Sequence, residues 1–361
     1  MKYLYQVAEE KDERELRNFV ASMPMPGSIS IRFERNPDFF EAAKVEGELS
    51  ETLIVRSEED RITGIGCRSE KRAFINGKEL SLGYLSGLRV DLRHRSFKYL
   101  SQAYKELKGL HEKGSSKIYL TTIVDDNIRA QKVLESGRSS LPKYNYFGQY
   151  LTYVVPSYKF HGNAGFEIKL ASKQDLPTLV DFLNKEGRRK QFFPKYKIED
   201  FEDGLLKGLN KIYLAFKDGE VCGCMGLWDQ HRYKQIFIDS YSLPMKFIRP
   251  LYNIQAFLRR KPGLPGEGKE LNSLKVAVPV AQNDSPEILC TLLARISKEA
   301  QKIKRPLLYG LHEKDAFKTF LESMKERVYK SKLYAVHWPD GAEAFSKLDK
   351  NSVPYLELGG L

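Results

Sequence analysis

The residues best suited to chemistry lie together at positions 88–100, where a strand-like run leads into a helix. Three cations, Arg93, Arg95 and Lys98, surround Ser96, a residue type that caps helix N-termini. The first backbone N–H groups of a helix have no partner within the helix, and the helix dipole favours an anion there. We therefore predict an anion-binding site at this helix start. A plain helix cap beside a solvated cationic face is the alternative.

Potential metal ligands are not grouped in this sequence. Cys222 and Cys224 lie on one face of a predicted strand, but there is no second pair and no histidine at ligand spacing. Four cysteines in 361 residues are too few for a disulfide framework. We therefore expect no metal site, and we expect a reducing, cytoplasmic setting.

Length and composition narrow the class of protein. At about 150 residues per domain, 361 residues favour two domains. With 42% apolar and 29% charged residues, the composition excludes disordered, collagen-like and disulfide-stapled chains. No run approaches the roughly 18 apolar residues of a membrane span, and we see no signal peptide. The net charge of +12 suits a polyanionic partner such as nucleic acid, or it has no role beyond solubility.

Hydrophobic periodicity predicts strands and helices in the same order in both halves of the chain. In the first half we predict strands at 3–8, 52–57, 62–75, 80–90, 118–124 and 146–155, and helices at 11–21, 96–113 and 127–135. In the second half we predict strands at 166–170, 213–217, 221–228, 274–280 and 307–311, and helices at 174–185, 286–302 and 316–324. The strand at 146–155 is expected to close the first unit.

The halves also match in sequence. Asp60–Gly64 matches Gly219–Gly223 at an offset of 159, whereas Val90 matches Val278 at an offset of 188. The difference of 29 residues predicts an insert in the second half, near 244–272. We interpret the pattern as a tandem duplication.

The predicted domain boundaries follow from this repeat. The first domain covers residues 1–156 and is the half expected to bind a ligand. A short polar linker with two glycines follows at 157–165. The second domain, which carries the insert, covers 166–361.

The order strand, helix, three antiparallel strands, helix, strand, helix, strand resembles the GNAT acyltransferase superfamily, once in each half. Lys217–Gly223 is similar to the family's hairpin between its second and third strands. Leu88–Ser96 is similar to its acyl-CoA loop, and Val124–Gly137 to its last conserved helix. The resemblance implies an α+β fold of two tandem GNAT-like domains, each a mostly antiparallel twisted mixed sheet flanked by helices.

The resemblance also implies an activity: an acyl-CoA-dependent N-acyltransferase that moves an acetyl group from acetyl-CoA, or another acyl-CoA, to an unidentified amine. In the family the splayed fourth strand holds the pantetheine chain and thioester through its backbone, and a loop of the form Arg/Gln-x-x-Gly-x-Gly/Ala binds the diphosphate. The best register for that loop begins at Arg95. The cofactor-binding residues that the resemblance implies are Leu88, Val90, Arg95, Ser96, Phe97, Lys98 and Asn127.

Several positions depart from the family pattern. Lys98 and Leu100 stand where the loop has small residues. Tyr84 stands where a carboxylate base often lies, and Leu134 stands where a tyrosine often serves as the acid. These departures weaken a conventional mechanism and leave the close approach of the diphosphate open.

Two side chains are the catalytic residues we predict. Tyr84 would serve as a proton relay, with plain strand packing as the alternative. Asp125 follows the fifth strand and would orient the amine, with capping of the next helix as the alternative. The carboxylate of Leu361 is a further base that the resemblance implies, because some tandem GNAT enzymes use their last residue in this way.

The corresponding loop of the second half is less suited to bind a cofactor, and two other functions remain as hypotheses. Asn283 takes the place of Arg95 there, and Asp284 and Glu287 would repel a diphosphate, so we expect a scaffold or lid without cofactor. Fem-type aminoacyl transfer from charged tRNA would suit the net charge, but those enzymes carry a long helical arm that this sequence does not show. A non-catalytic GNAT-like binding module is the third hypothesis.

Overall fold

The computed structural model describes residues 2–156, 165–258 and 263–361. Most of the predicted linker therefore lies outside the described residues. The elements of the first half are β1 (Leu4–Val7), α1 (Glu13–Ala21), β2 (Ile29–Glu34), α2 (Phe39–Ala43), β3 (Leu49–Arg56), β4 (Ile62–Ile75), β5 (Lys78–Val90), α3 (Phe97–Lys113), β6 (Tyr119–Val124), α4 (Ile128–Leu134) and β7 (Lys143–Val155). Those of the second half are β8 (Glu167–Leu170), α5 (Leu176–Gly187), β9 (Phe193–Pro194), α6 (Asp200–Asp203), β10 (Ile212–Lys217), β11 (Glu220–Trp228), β12 (Gln235–Tyr241), α7 (Leu243–Leu258), β13 (Leu274–Ala281), α8 (Pro286–Lys302), β14 (Leu307–His312), α9 (Lys318–Ser323), β15 (Val328–His337) and α10 (Ala342–Ser346).

One mixed sheet of 13 strands runs through the described residues. Twelve strands follow the order β1-β3-β4-β5-β6-β15-β7-β14-β13-β11-β10-β8, and β9 pairs with β4. The pairs β5·β6 and β13·β14 are parallel. Helix α3 packs on the first-half strands, and α5 and α8 pack on the second-half strands. The predicted fold class, a mixed sheet flanked by helices, is confirmed.

The closing strands of the two halves are exchanged. Strand β15 lies between β6 and β7, with Tyr334 opposite Thr121 on one side and Tyr146 on the other. Strand β7 then pairs with β14. The prediction that residues 146–155 close the first unit is therefore wrong. Alternating hydrophobicity identifies a strand, but its partner depends on packing between residues distant in sequence.

A second, two-stranded sheet also joins the halves. Strand β2 pairs with β12, and Ile31 lies opposite Ile238. The sequence pattern predicts neither strand. Helix α7 lies at the start of the insert predicted near 244–272, and β12 lies directly before it. The division of the chain into domains 1–156 and 166–361 stays a prediction, because the two halves share both sheets.

A backbone irregularity recurs in the two halves. The pairing of β4 with β5 shifts between Ile65 and Cys67. The pairing of β11 with β13 shifts between Cys224 and Gly226, which is the same place at the offset of 159. This recurrence supports the proposed duplication, because nothing in general strand geometry requires a bulge at matching positions.

Each of these two irregularities places a residue with a positive φ angle on the partner strand. On β5 this residue is Gly87, with a φ of 65°, and on β13 it is Val278, with a φ of 42°. Val278 therefore corresponds to Gly87, and the predicted match of Val278 with Val90 is wrong. The sequence comparison paired two identical residue types, whereas the bulge decides which residues are equivalent in space.

Candidate active site

Strands β5 and β6 pair briefly and then separate. Gly83 lies opposite Tyr119 and Tyr84 opposite Leu120, and within the described residues their pairing ends there. A Cβ atom on Gly83 would lie 2.0 Å from Cδ1 of Tyr119, so a glycine is required for this close approach. Beyond Tyr84, β5 continues against β4, while β6 continues against β15.

We call the gap between residues 85–90 of β5 and 121–124 of β6 the first cleft. It leaves one backbone edge of β5 without a strand partner in the described part of the chain. Leu88 and Val124, on its two sides, are each 39% exposed. The backbone of Leu88 and Val90, predicted to hold a pantetheine chain, thus lines an accessible cleft.

Helix α3 begins directly at the mouth of the first cleft. Ser96 caps it, because its Oγ accepts a hydrogen bond from the Tyr99 N–H at 3.2 Å. The Tyr99 hydroxyl lies 2.9 Å from Thr63 Oγ1 on β4 and fixes the first helical turn to the sheet. A Cβ on Gly64 would lie 2.3 Å from that hydroxyl oxygen, so glycine makes this anchor possible.

Cations surround this helix start. Nε of Arg95 donates a hydrogen bond to the Val90 carbonyl at 3.0 Å, and burial together with nearby Arg129 lowers the pKa of Arg95. Arg93 and Lys98 are exposed beside it. Arg129 lies on α4, across the cleft, and no sequence pattern identifies it. Its position depends on the contact between two elements that are separated in the chain.

Two predicted cofactor residues have structural partners. The Phe97 ring lies under the Arg138 guanidinium, with 4.0 Å from Cζ to the ring centroid. Asn127 caps α4, because its Oδ1 accepts a hydrogen bond from the Ala130 N–H at 3.2 Å. Both residues lie at the cleft mouth. The backbone N–H of Phe97 and the side-chain amide of Asn127 are therefore beside the place where a ligand would enter.

The two predicted catalytic side chains are not brought together. Asp125 follows β6 at the cleft mouth, where its N–H donates to the Lys330 carbonyl at 3.0 Å. It lies five residues beyond Leu120, which corresponds to about 16 Å along the strand from the level of Tyr84. Tyr84, by contrast, lies buried where the cleft closes.

Tyr84 faces a small cavity at the closed end of the cleft. Its hydroxyl lies 3.3 Å from Thr122 Oγ1, and burial raises the pKa of Tyr84 well above its ordinary value. The residues lining this apex cavity are Lys71, Leu82, Gly83, Tyr84, Leu120, Phe192, Pro194, Tyr355, Leu356, Glu357, Gly360 and Leu361. An apolar cavity under α3 is lined by Leu53, Val55, Ile65, Gly66, Leu88, Val90, Tyr99, Leu100, Ala103, Tyr104 and Leu107. Each has room for about one water molecule.

Glu357 is the carboxylate of the apex cavity. Its Oε2 accepts hydrogen bonds from the Tyr355 hydroxyl at 2.6 Å and from the Val278 N–H at 2.9 Å. Its Oε1 is buried and has no hydrogen-bond partner in the described residues. Burial raises the pKa of Glu357. This residue was not predicted from the sequence, because no local motif marks it and its position depends on the chain folding back across both halves.

Leu361, the other base implied by the resemblance, lies in the same place. It lines the apex cavity with Tyr84, and its backbone oxygen accepts a hydrogen bond from Lys234 Nζ at 2.7 Å. Burial lowers the pKa of Lys234 to about 8. The structure therefore brings Leu361 to Tyr84, whereas it leaves Asp125 at the cleft mouth.

Solved structures match this architecture over nearly the whole chain. Saccharomyces cerevisiae N-myristoyltransferase with bound myristoyl-CoA has a TM-score of 0.62 at 11% identity, over 98% of this chain and 85% of that one. A GCN5-related N-acetyltransferase from Anabaena variabilis has a TM-score of 0.55 at 10% identity, over 92% and 72% of the two chains. A probable N-acyltransferase from Enterococcus faecalis has a TM-score of 0.53 at 8% identity, over 93% and 72%. The chain has the GNAT fold. No protein-family model matches the sequence, and no curated protein sequence matches it.

The second GNAT half has a corresponding cleft, and the chain itself fills it. Strands β13 and β14 pair at Leu274↔Leu307 and Lys275↔Leu308, and their pairing ends there within the described ranges. Segment 355–361 lies in the gap that follows, where Glu357 accepts from the Val278 N–H. Because these residues occupy the second cleft, the first cleft is the one that can receive a ligand.

A cluster of charged residues, in which Glu46 is buried and the four cations are half-buried, lies on the face of the first GNAT half opposite α3. Glu46 pairs with Arg35 and accepts a hydrogen bond from Ser86 Oγ at 2.7 Å. Burial alone would raise the pKa of Glu46, but Arg35 and Lys234 hold it below its usual range. Arg89 Nε is buried and has no hydrogen-bond partner in the described residues. The members of this charged cluster are Arg35, Glu46, Lys71, Arg89 and Lys234.

Side chains that commonly bind metals are scattered through the fold. Across residues 2–156, 165–258 and 263–361, no three His, Cys, Asp or Glu side chains are grouped so that they could hold a metal ion. Cys222 and Cys224 are buried free thiols in β11. The expectation that the reaction needs no metal stays a prediction.

Proposed function

We propose that this protein transfers an acyl group from an acyl-CoA to an amine in the first cleft. One observation carries the proposal: β5 and β6 separate after Tyr84, and α3 begins at the mouth of the gap they leave. An unpaired strand edge offers N–H and C=O groups to an extended amide chain, and a helix N-terminus offers N–H groups to a phosphate. Pantetheine diphosphate combines these two chemistries in one ligand.

The donor would run along β5. Backbone groups of Leu88 and Val90 would pair with the pantetheine amides, and the N–H groups at the start of α3 would bind the diphosphate. Arg95 and Arg129, on opposite sides of the cleft mouth, would add charge to that contact. Lys98 stands where the family loop has a glycine, and its exposed ammonium group would add a further positive charge at the cleft mouth.

The acyl transfer would take place towards the apex cavity. The amine nitrogen attacks the thioester carbonyl, the carbon–sulfur bond breaks, and the products are an amide and free CoA thiol. Glu357 would take the proton that the amine loses and return it to the departing thiolate. Tyr84 stays protonated at neutral pH, so its hydroxyl would donate a hydrogen bond at the reacting centre. Leu361 is the alternative base, because it lines the same cavity.

The acyl group we propose is acetyl. Both cavities beside the first cleft have room for about one water molecule, which suits a two-carbon group better than a long chain. The choice of acceptor amine would depend on the surface loops around the cleft. A cytoplasmic location also stays a prediction.

The first experiment is calorimetric titration of the purified protein with acetyl-CoA. Wild type should bind, and Arg95→Glu should weaken binding at least about tenfold, because it places an anion beside the diphosphate. Arg14→Gln is the matched control, because Arg14 is an exposed cation on α1. Binding of myristoyl-CoA in preference to acetyl-CoA would overturn the acetyl assignment and keep the acyltransferase.

Two outcomes would contradict the proposal itself. If neither acetyl-CoA nor a longer acyl-CoA binds, the donor site does not exist, and charged tRNA becomes the next ligand to titrate. If acetyl-CoA binds but no amine in a broad panel releases free CoA thiol, the non-catalytic binding module is the better description.

A further inference from the structure

Helix α7 exposes an apolar face to solvent. Seven of its side chains are between 51% and 81% exposed, although all seven are large and apolar. They are Leu243, Phe247, Ile248, Leu251, Ile254, Phe257 and Leu258. Scattered exposed apolar residues are normal on a protein surface, but a contiguous group of this size marks an interaction site.

The exposed residues share one side of the helix. At 100° per residue, all of them except Ile248 fall within an arc of about 120°. The opposite side faces the protein: Ala256 is buried there, and the Arg249 guanidinium lies 5.3 Å from the centroid of the Tyr241 ring. The helix therefore packs through its more polar side and turns its apolar side outward.

Several contacts hold α7 in this orientation. Asn253 Oδ1 accepts a hydrogen bond from the Leu264 N–H at 2.8 Å, and its Nδ2 donates to the Leu264 carbonyl at 3.1 Å. Lys246 pairs with Glu267 at 3.3 Å. The outward direction of the apolar face is thus part of the folded structure.

The sequence of this region is rich in basic residues, although Glu267 pairs with one of them, Lys246. From Ser240 to Gly266 the sequence has no aspartate and no glutamate, but it has five basic residues. They are Lys246, Arg249, Arg259, Arg260 and Lys261. The last three directly follow α7 in the sequence and lie outside the described residues.

We propose that α7 binds the surface of a membrane that contains anionic lipids, with its apolar face in the boundary between headgroups and acyl chains. A helix with an exposed Leu, Ile and Phe face and adjacent Lys and Arg residues is the pattern of interfacial helices. The cations favour an anionic lipid surface over a second copy of this chain, which would bring like charges together. No helix in the described ranges is long and apolar enough to cross a membrane, so α7 would lie on its surface.

The test is co-sedimentation of the full chain with vesicles. Wild type should bind vesicles of phosphatidylcholine with about 30% phosphatidylserine at least about tenfold better than pure phosphatidylcholine, and high salt should reduce this binding. The double variant Phe247→Ser/Phe257→Ser should lose binding at least about tenfold. Leu170→Ser, which removes an exposed apolar side chain on β8, should bind as wild type does.

The proposal does not rest on the acyltransferase function, and it is overturned by either of two results. The first is that wild type fails to bind phosphatidylserine vesicles, or that the double variant binds them as well as wild type does. The other is a dimer in analytical ultracentrifugation that the double variant abolishes, without any vesicle binding, because a second copy would then be the occupant. Unchanged thermal unfolding of the variant would show that lost binding is not lost folding.

Discussion

Glu357 accepts a hydrogen bond from the Val278 N–H at 2.9 Å, and Val278 is the bulged residue of β13, just past the point at which β13 leaves β14. The segment that carries Glu357 therefore occupies the second cleft while its carboxylate lines the cavity at the apex of the first. One residue thus connects a half whose cleft is filled with a half whose cleft is accessible. We therefore expect a substitution of Glu357 to alter the reaction in the first cleft.

Glu357→Gln should abolish most of the transfer activity. If Glu357 is the base, kcat should fall about 100-fold or more, because glutamine keeps the hydrogen-bond acceptor for Val278 but cannot take a proton. The dissociation constant for acetyl-CoA should not change. Glu343→Gln, at an exposed site on α10, is the control. A variant that retains full kcat would exclude Glu357 and favour Leu361.

The same substitution should change how stability depends on pH. The raised pKa of Glu357 means that the folded state favours the protonated carboxyl. Its contribution is fully present below the unfolded-state pKa and is lost as pH rises through the folded-state value. The free energy of unfolding of Glu357→Gln should therefore increase relative to that of wild type as pH rises from 4 to 8. Urea denaturation of both proteins at each pH measures this difference. A constant difference would contradict this assignment.

Glu46→Gln should change the pH dependence of the free energy of unfolding in the opposite direction. Arg35 and Lys234 hold the pKa of Glu46 below its usual range, so its stabilisation is present above the unfolded-state pKa and is lost as pH falls. Removing this buried anion leaves the cations without a partner, which should cost about 3 kcal/mol at pH 7. The deficit relative to wild type should shrink in acid. Equal free energies of unfolding of the variant and wild type at pH 7 would show that Glu46 does not stabilise the cations around it.

Gly83→Ala should destabilise the protein at the point where β5 and β6 pair. A Cβ there would lie 2.0 Å from Cδ1 of Tyr119, so the parallel pairing must shift, at about 1–3 kcal/mol or more. Gly109→Ala is the contrasting variant, because no atom lies within 4 Å of its Cβ position in the middle of α3. It should stabilise the protein by about 0.5–1 kcal/mol. Chemical denaturation of both variants tests the pair, and similar effects would refute the packing argument.

Arg89→Met should change acceptor preference. Nε of Arg89 is buried without a hydrogen-bond partner among the residues that the structure describes, and its cluster holds more cations than anions. Both observations predict that the acceptor amine also carries a carboxylate. Wild type should prefer amino acids over their decarboxylated amines by about 10- to 100-fold in kcat/KM, and the variant should lose this preference. Lys98→Met, which removes an exposed cation at the cleft mouth, should keep it. Wild type without such a preference would contradict the prediction.

Much of the local structure could be predicted from the sequence. The periodicity placed α3 and its Ser96 cap correctly, and it located β4, β5 and β6 within a few residues. It did so because a helix or strand buries one face at a fixed period, and the cap satisfies N–H groups a few residues away. Ser96 and Asn127 each cap a helix that follows one of the two neighbouring strands β5 and β6, so Ser96, Arg95 before it and Asn127 all lie at the open end of the first cleft.

By itself, then, the sequence determined most elements of the two halves, although not β2, β12 or α7, and it determined the fold class and one side of the site. The tertiary structure decided the insertion of β15 between β6 and β7, the equivalence of Val278 with Gly87, and the approach of Glu357 to Tyr84. These relationships involve residues about 175 or more positions apart, as Val328 opposite Tyr153 shows, and their free energy comes from burial that no local window contains. Arg129 and the apolar face of α7 belong to the same class, because exposure and cross-element contact exist only once the chain has folded.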